Sequence, residues 1–185
     1  MAQLYRNRRV QSIPCHLYPC NLRSDDHLRT TTTHRSKSWK NTLDINEWTG
    51  VTDLVIDPTN PDIFYVAVQG AQYGPSKERG IYKTLDGGKT WIKSLFVGEF
   101  SGASSLSMDM NNPRTLYAAI WDHERTPWQM RSGGSNSGIY KSSDGGEKWI
   151  RLEKGLPKII GKSGISVSRA NSNIVSVSYT HLRAH

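Results

Sequence analysis

The chain has 185 residues and a net charge of +8, with 36% hydrophobic residues, six tryptophans and eight tyrosines. This composition is typical of a globular domain, and no apolar run is long enough to cross a membrane. The first 20 residues contain no apolar stretch of the kind that signal peptides carry, so no signal peptide is predicted.

The positive charge is concentrated at the beginning of the chain. Residues 1–40 hold 8 Lys and Arg against 2 Asp and Glu, a net charge of +6, which leaves +2 for residues 41–185. Because the rest of the chain shows no basic stripe, we predict no nucleic-acid partner. Cys15 and Cys20 have no second pair of metal ligands after them, so we predict neither a metal site nor a cofactor.

Residues 1–35 follow no helix or strand pattern and are predicted to be disordered or not native to the protein. Regular patterning covers residues 36–178. Trp39 stands 52 positions before Trp91, but the residues ahead of it lack the expected Asp-Gly-Gly, as a shifted reading frame upstream of Ser36 would produce. Residues 179–185 break the pattern and are predicted to be a non-native or disordered tail.

Two similar units follow one another from Trp39 onward, and a third begins. Each complete unit contains four predicted strands, separated by turns rich in Asp, Asn, Gly and Pro. The predicted strands are 51–56, 63–68, 81–83 and one starting at Trp91; then 103–108, 115–120, 139–141 and one starting at Trp149; then 164–168 and 174–178. Residues 121–137 are predicted to be a long loop.

One hairpin sequence occurs twice. GIYKTLDGGKTW at residues 80–91 returns as GIYKSSDGGEKW at residues 138–149, 58 positions later. Ile-Tyr-Lys favours a strand, and Asp-Gly-Gly favours a tight turn because glycine accepts a positive φ without steric cost. The carboxylates of Asp86 and Asp144 can accept hydrogen bonds from their own turns. Repetition at this period predicts stacked supersecondary units.

The hairpin resembles the Asp-box, or BNR repeat, of sialidase-like β-propellers. In that family the box is a structural turn between the third and fourth strands of a blade, so the resemblance implies architecture and not catalysis. The second copy has Lys148 where the pattern prefers a hydroxyl residue. The residues that match are Thr84, Asp86, Gly88, Thr90 and Trp91 in the first copy, and Ser142, Asp144, Gly146 and Trp149 in the second.

A wider resemblance covers about residues 38–178. The segments VTDLVIDPTNPDIFYVAVQG, RTPWQMRSGG and GLPKIIGKSGISVS are similar to large bacterial exported propellers called BNR-repeat glycosyl hydrolases, which are related in fold to the sortilin ectodomain and to xyloglucan-cleaving propellers. The implied fold class is all-β, a β-propeller fragment of about two and a half four-stranded blades with Asp-box hairpins. The implied location of the parent protein is secreted or periplasmic.

Function is expected on the loops at the end of the blades opposite the Asp-boxes, because loops on a rigid scaffold commonly carry function. Two inter-blade loops align and each delivers an acid and an aromatic, Glu47-Trp48 and Glu99-Phe100. Paired carboxylates are what glycoside hydrolysis requires. The candidate catalytic residues are Glu47, Glu99, Asp122 and Glu124. Solvated loop acids that repeat with the blade are the alternative interpretation.

Aromatic and arginine side chains of the same loops are the candidate ligand contacts, since such residues are typical anchors of binding surfaces. They are Trp48, Phe100, Tyr73, Arg79, Arg125, Trp128 and Arg131. His123 is expected at the surface without a partner. Sialidase chemistry is not predicted, because the Phe/Tyr-Arg-Ile-Pro signature is absent and no arginine triad can be aligned.

These observations predict a piece of an exported, sortilin-like propeller that binds a carbohydrate or protein ligand on its loops and is inactive as an isolated fragment. One alternative is that the chain is part of a glycoside hydrolase with paired carboxylates on those loops. A second alternative is a purely architectural module, in which none of the loop residues contacts a ligand.

Overall fold

The computed structural model describes residues 42–43 and 49–180, and every regular element among them is a β-strand. The strands form three antiparallel sheets. The first contains, in order, β1 (Thr49–Ile56), β2 (Phe64–Ala71), β3 (Gly80–Thr84) and β4 (Ile92–Leu95). The second contains β5 (Ser101–Met108), β6 (Leu116–Arg125), β8 (Gly138–Ser142) and β9 (Ile150–Leu152), with β7 (Met130–Ser132) paired to β6 alone. The third contains β10 (Ser163–Val167) and β11 (Val175–Tyr179).

Each sheet is one blade, complete in the first two cases and represented by two strands in the third. The predicted all-β propeller fragment is therefore confirmed. The predictions for residues 1–35 lie outside the described residues. Tyr179, predicted to begin the tail, is the last residue of β11 and pairs with Ser163.

The prediction of one long loop over residues 121–137 is wrong. Strand β6 continues to Arg125, and the chain then turns back and pairs with it as β7. The turn has the sequence Thr-Pro-Trp-Gln at residues 126–129, and Thr126 N donates to Gln129 O at 2.8 Å. Proline at the second position favours such a turn. This local signal was available in the sequence and indicates a hairpin where the length alone indicated a loop.

The hydrophobic core lies between the blades. One cluster joins the first and second blades and includes Ile81, Ala103 and Ile120, all fully buried. A second joins the second and third blades around Ile139 and Ile165. Small residues at these faces let the sheets approach closely, and a Cβ on Gly102 would lie 2.2 Å from the Gln69 carbonyl oxygen. Each blade therefore depends on its neighbour for burial of its apolar face.

The innermost strands of the two complete blades each contain an irregularity in register. It falls at Thr52 in β1 and at Ser104 in β5. The Thr52 hydroxyl donates to Ala103 O of the next blade at 2.7 Å, and the Ser104 hydroxyl donates to Ser163 O of the third blade at 2.7 Å. These bulges direct one hydroxyl per blade across the junction to the following blade.

The order of the strands defines two ends. The turns after β1, β3, β5, β8 and β10 lie at one end, which we call the bottom, and the loops after β2, β4, β6 and β9 lie at the other, which we call the top. The Asp-Gly-Gly turns are at the bottom, and the candidate ligand contacts are at the top. The described part of the chain contains no helix with the length and apolar character needed to cross a lipid bilayer.

Candidate ligand-binding site

The top end carries one hairpin beyond the four strands of a blade, residues 121–132, which we call the arm. Strand β6 pairs with β8 as far as Ile120 and with β7 from His123 onward. Trp128 lies in the turn of the arm and is 82% exposed. An indole this exposed contributes little to the core, so its large apolar face is available to a ligand.

An ion-pair network holds the two strands of the arm together. Arg131 Nη1 lies 2.8 Å from Asp122 Oδ1, and Arg131 Nε lies 3.6 Å from Glu124 Oε2. Trp121 Nε1 adds a hydrogen bond of 3.0 Å to the Ser132 hydroxyl. Three candidate residues therefore form one network, in which Asp122 and Glu124 both pair with the guanidinium of Arg131.

The arm also contacts the loop that leads into its own blade. The Arg131 guanidinium lies 5.5 Å from the centre of the Phe100 ring, a cation–π arrangement. His123 N donates to Phe100 O at 2.9 Å, which ties the same loop to β6. The structure therefore brings together two predicted ligand contacts that lie 31 positions apart in sequence.

Arg79 does not face the solvent, because its side chain is fully buried across Gly70. Its Nη2 donates to Ala71 O at 2.7 Å and to Gly74 O at 3.1 Å, which organises the loop between β2 and β3. Nε has no partner among the described residues. Burial lowers the pKa of this guanidinium from its usual value. Arg79 therefore acts within the fold, and its proposed role as a direct ligand contact has no support from its exposure.

His123 is 1% exposed, so the expectation of a surface histidine is wrong. Its ring stacks on that of Trp121 with 4.0 Å between centroids, and Arg79 Nη1 lies 3.2 Å from each ring nitrogen. Gln69 Nε2 lies 3.4 Å from His123 Nε2. Burial, and then the charge of Arg79, lower the pKa of His123 to about 4. The cause of the error is the extension of β6, which carries this residue into the blade junction.

The other predicted residues are distributed as follows. Tyr73 is 65% exposed, and Glu99 and Arg125 are also exposed, with no hydrogen bond or ion pair from their side chains to the described residues. All three belong to top loops or to the arm. Glu47 and Trp48 lie outside the described residues.

Sequence reasoning overlooked Lys162. This exposed residue lies just before β10, and its Nζ is 5.5 Å from the centre of the Trp121 ring at the base of the arm. It is the last of three lysines in the loop between β9 and β10. The only signal in the sequence was the composition of that loop, which is richer in lysine than the other inter-blade loops.

The first Asp-Gly-Gly turn is closed by the carboxylate of Asp86. Its Oδ1 accepts from the backbone N–H groups of Lys89 and Thr90 at 2.9 Å each, and its Oδ2 accepts from the Thr90 hydroxyl at 2.6 Å. The Thr84 hydroxyl donates to Asp86 Oδ1 and accepts from Gly88 N. The bonds from Thr90, followed by those from Thr84 and Lys89, hold the pKa of Asp86 well below its usual value. A carboxylate used in this way is kept ionised.

The second turn reproduces this geometry with one bond fewer. Asp144 Oδ1 accepts from the N–H groups of Glu147 and Lys148 at 3.0 Å each and from the Ser142 hydroxyl at 2.8 Å. The Ser142 hydroxyl in turn accepts from Gly146 N at 2.8 Å. Lys148 has no hydroxyl to bond the second carboxylate oxygen. The hydrogen bond from the Lys148 backbone, and then the one from the Ser142 hydroxyl, lower the pKa of Asp144.

The tryptophan after each turn binds a residue that precedes its own blade in the chain. Trp149 Nε1 donates to the Ser94 hydroxyl in β4 at 3.0 Å. Trp91 Nε1 donates to Thr42 O at 2.8 Å and its ring meets Phe64 edge-on at 5.3 Å. Thr42 and Ser94 are 52 positions apart, the same spacing that separates Trp39 from Trp91. Trp149 thus links the first two blades, and Trp91 makes the equivalent bond to the segment that precedes the first blade.

No group of three or more His, Cys, Asp or Glu side chains that could hold a metal ion occurs within the described ranges. Among the described acids of the top end, Asp122 and Glu124 pair with Arg131, Glu78 accepts a hydrogen bond of 2.9 Å from the Ser76 hydroxyl, and Glu99 is exposed. The exposed aromatic and charged side chains of this end offer apolar and charged surface to a ligand.

The chain is similar to parts of several solved structures. The GH74 enzyme from Niastella koreensis has a TM-score of 0.53 and 21% identity, over 75% of this chain and 20% of that chain. The GH74 xyloglucanase from Xanthomonas campestris has a TM-score of 0.55 and 14% identity, over 79% of this chain and 22% of that chain. YCF48 from Cyanidioschyzon merolae has a TM-score of 0.40 and 17% identity, over 65% and 29%. No family model and no curated protein matches the sequence.

At these identities the likeness shows the fold alone. The chain is a partial β-propeller, and it spans about a fifth of the length of the two GH74 enzymes. The activity in their names belongs to those proteins.

Proposed function

We propose that the chain is part of an exported propeller of the Asp-box class, akin to the sortilin-like propellers, and that its top end binds a polysaccharide. The Asp-box assignment is supported by the two bottom turns. In both, a Ser or Thr hydroxyl donates to the turn aspartate and accepts from a glycine N–H, and the tryptophan that follows bonds a residue that precedes its own blade. These aspartates act in architecture, because their oxygens are occupied by their own turns.

The observation that carries the binding function is the exposed indole of Trp128 on an arm whose base is fixed. A flat apolar ring favours the apolar face of a sugar, and fixing the ring beforehand reduces the entropy lost on binding. The Arg131–Asp122 ion pair and the Trp121–Ser132 hydrogen bond supply that fixation. Tyr73, also exposed at the top, offers a second aromatic surface.

The test is binding of soluble polysaccharides to the 185-residue chain by affinity electrophoresis or calorimetry. Replacing Trp128 with alanine is expected to weaken binding at least about tenfold, because loss of one stacking ring removes on the order of 1–2 kcal/mol. Ile150→Ala is the matched control, since Ile150 is 70% exposed but lies on the outer strand β9. Binding that survives Trp128→Ala, or that falls equally in both variants, contradicts the proposal. Binding of proteins but of no polysaccharide would assign the arm to a protein ligand.

A glycoside hydrolase is the second candidate, favoured by the two carboxylates on the arm. Asp122 and Glu124 lie on the same side of β6, two residues apart, and glycoside hydrolysis requires two neighbouring carboxyl groups. Their shared bond to Arg131 opposes this role, because it occupies carboxylate oxygens that a substrate or a water would have to reach. Assays of reducing ends released from polysaccharides, with Glu124→Gln as the comparison, decide between the two. Hydrolysis that Glu124→Gln leaves intact would direct attention to Glu47 and Glu99.

A further inference from the structure

We propose that the polysaccharide bound at the top end is an acidic one, such as a polyuronate, because a surface of unpaired cations adjoins the arm. This inference rests on the proposed function and specifies its ligand. The cations are Arg125 on the arm and Lys154, Lys158 and Lys162 on the loop between β9 and β10, of which Lys162 lies against the arm.

The lysine loop is a feature of one blade junction and not of the repeat. Residues 153–162 contain the three lysines and one acid, Glu153. The corresponding loop between β4 and β5, residues 96–100, contains Glu99 and no Lys or Arg. Because the scaffold does not need these charges at the first junction, their presence at the second points to a role outside the fold.

None of the four cations is neutralised within the described residues. All are exposed, and the ion pairs of the described residues join Lys83 to Glu147 and Arg131 to Asp122 and Glu124. The two acids of the arm are therefore both engaged by Arg131, which leaves the charge of Arg125 uncompensated on the same hairpin.

The last residue of the lysine loop lies against the arm. Lys162 Nζ is 5.5 Å from the centre of the Trp121 ring, and Gly161 N and Thr180 O hold the end of the loop at 3.1 Å. Successive side chains of a strand point to opposite faces, so Arg125 shares the face of β6 that carries Trp121. A ligand that stacks on Trp128 can therefore reach cations at the base of the arm.

Each exposed cation contributes little alone, but several of one sign attract a polyanion together and do so less in high salt. A polyuronate carries a carboxylate on each sugar, which places its charges along the chain, while its sugar rings keep apolar faces for Trp128. A neutral polysaccharide gains nothing from the lysines.

The experiment compares polygalacturonate with xyloglucan, a neutral polymer, as probes for the 185-residue chain in low and high salt. We expect polygalacturonate to bind at least about tenfold more tightly in low salt, and the difference to shrink in high salt. The triple variant Lys154→Gln, Lys158→Gln, Lys162→Gln is expected to lose this preference. The control is Lys89→Gln with Lys148→Gln, since these exposed lysines lie on the bottom turns. Circular dichroism establishes that each variant retains its β-sheet.

The outcomes separate this inference from the proposed function. Equal binding of both polymers that depends on Trp128 and not on the lysines overturns the acidic ligand and leaves polysaccharide binding in place. Binding of neither polymer overturns both. Binding of a DNA duplex as tightly as polygalacturonate, unaffected by Trp128→Ala, shows attraction of any polyanion and also overturns the inference.

Discussion

Arg79 and His123 meet at the junction of the first two blades, with Arg79 Nη1 at 3.2 Å from both nitrogens of the imidazole. His123 Nδ1 lies 3.2 Å from Trp121 O, so we assign the proton of the neutral ring to Nδ1 and leave Nε2 as the acceptor. Arg79 has donors only and carries a permanent charge. A protonated His123 would therefore place two cations in contact inside the fold, because the nearest carboxylate, Asp122, is bound to Arg131.

This contact predicts acid sensitivity of the fold. The pKa of His123 falls from 6.5 to about 4 on folding, so between these pH values the unfolded chain binds a proton that the folded chain does not bind. The contribution to stability is complete above pH 6.5, is lost as the pH falls from 6.5 toward 4, and changes no further below. The loss is roughly 3 kcal/mol in the free energy of unfolding. Urea titrations across this range measure it.

His123→Gln is the decisive variant for that prediction, since glutamine keeps hydrogen-bonding groups but does not titrate. We expect its stability to change less between pH 6.5 and pH 4 than that of the unmodified chain. Arg125→Gln is the control, because Arg125 is exposed and unpaired on the same strand. Parallel pH dependence in the unmodified chain and in His123→Gln would show that other groups cause the acid sensitivity.

Removal of a turn carboxylate should destabilise the bottom of the blades. Asp86→Asn removes the charge of a carboxylate that accepts bonds from backbone N–H groups and from the Thr90 hydroxyl. Asp144→Asn removes the charge of a carboxylate that accepts two backbone bonds but has no hydroxyl equivalent to that of Thr90. We expect a lower melting temperature in both, with the larger decrease for Asp86. Because folding lowers both carboxyl pKa values, the stabilisation is present above their usual pKa and disappears in stronger acid. Equal melting temperatures for the two variants and the unmodified chain would show that the two aspartates do not stabilise the fold.

Truncation of Trp91 and of Trp128 should have different effects on the free energy of unfolding. Trp91→Phe loses the 2.8 Å bond to Thr42 O and should cost about 1 kcal/mol, while Trp91→Ala also loses the edge-on contact with Phe64 and should cost about 3 kcal/mol. Trp128→Ala should change stability by about 0.5 kcal/mol or less, since its ring is exposed. Chemical denaturation measures all three. Strong destabilisation by Trp128→Ala would mean that the arm supports the fold.

The hydroxyls on the two bulges predict a smaller effect. Thr52→Val and Ser104→Ala each leave a carbonyl of the next blade, Ala103 O or Ser163 O, without its donor, and each should cost about 1 kcal/mol. The exposed Ser135, whose hydroxyl makes no hydrogen bond to any of the described residues, provides the control Ser135→Ala. If Ser135→Ala destabilises the chain as much as Thr52→Val, the bond from Thr52 to the adjacent blade does not contribute to stability.

The repeat was readable from the sequence because its determinants are local. Asp-Gly-Gly requires positive φ at both glycines, and the structure has φ of 71° and 85° at Gly87 and Gly88 and 79° and 84° at Gly145 and Gly146. Ile and Tyr stand next to each other in β3 and in β8 because both faces of these strands are enclosed, so neighbouring side chains are buried in turn. Fold class, strand order and turn chemistry could therefore be predicted within single hairpins.

The arm could not be predicted from the length of the segment 121–137, which favours a loop, and its only local signal is the turn sequence at residues 126–129. Strand β6 passes the end of β8 at Ile120, so nothing in the repeat predicts its continuation to Arg125. The pairing of Arg131 with Asp122 follows only from the hairpin register. Here the candidate site depended on an element that departs from the repeat.

By itself, the sequence determined the unit that repeats, its hairpin turns and the end of the blades at which variable loops emerge, since these depend on neighbours within a few residues. The tertiary structure alone decided which polar side chains are enclosed. Arg79 and His123 come from different blades, 44 positions apart, and only the docking of two sheets buries one against the other. The same docking leaves Trp128 outside, because burial depends on what packs above a residue and not on its type.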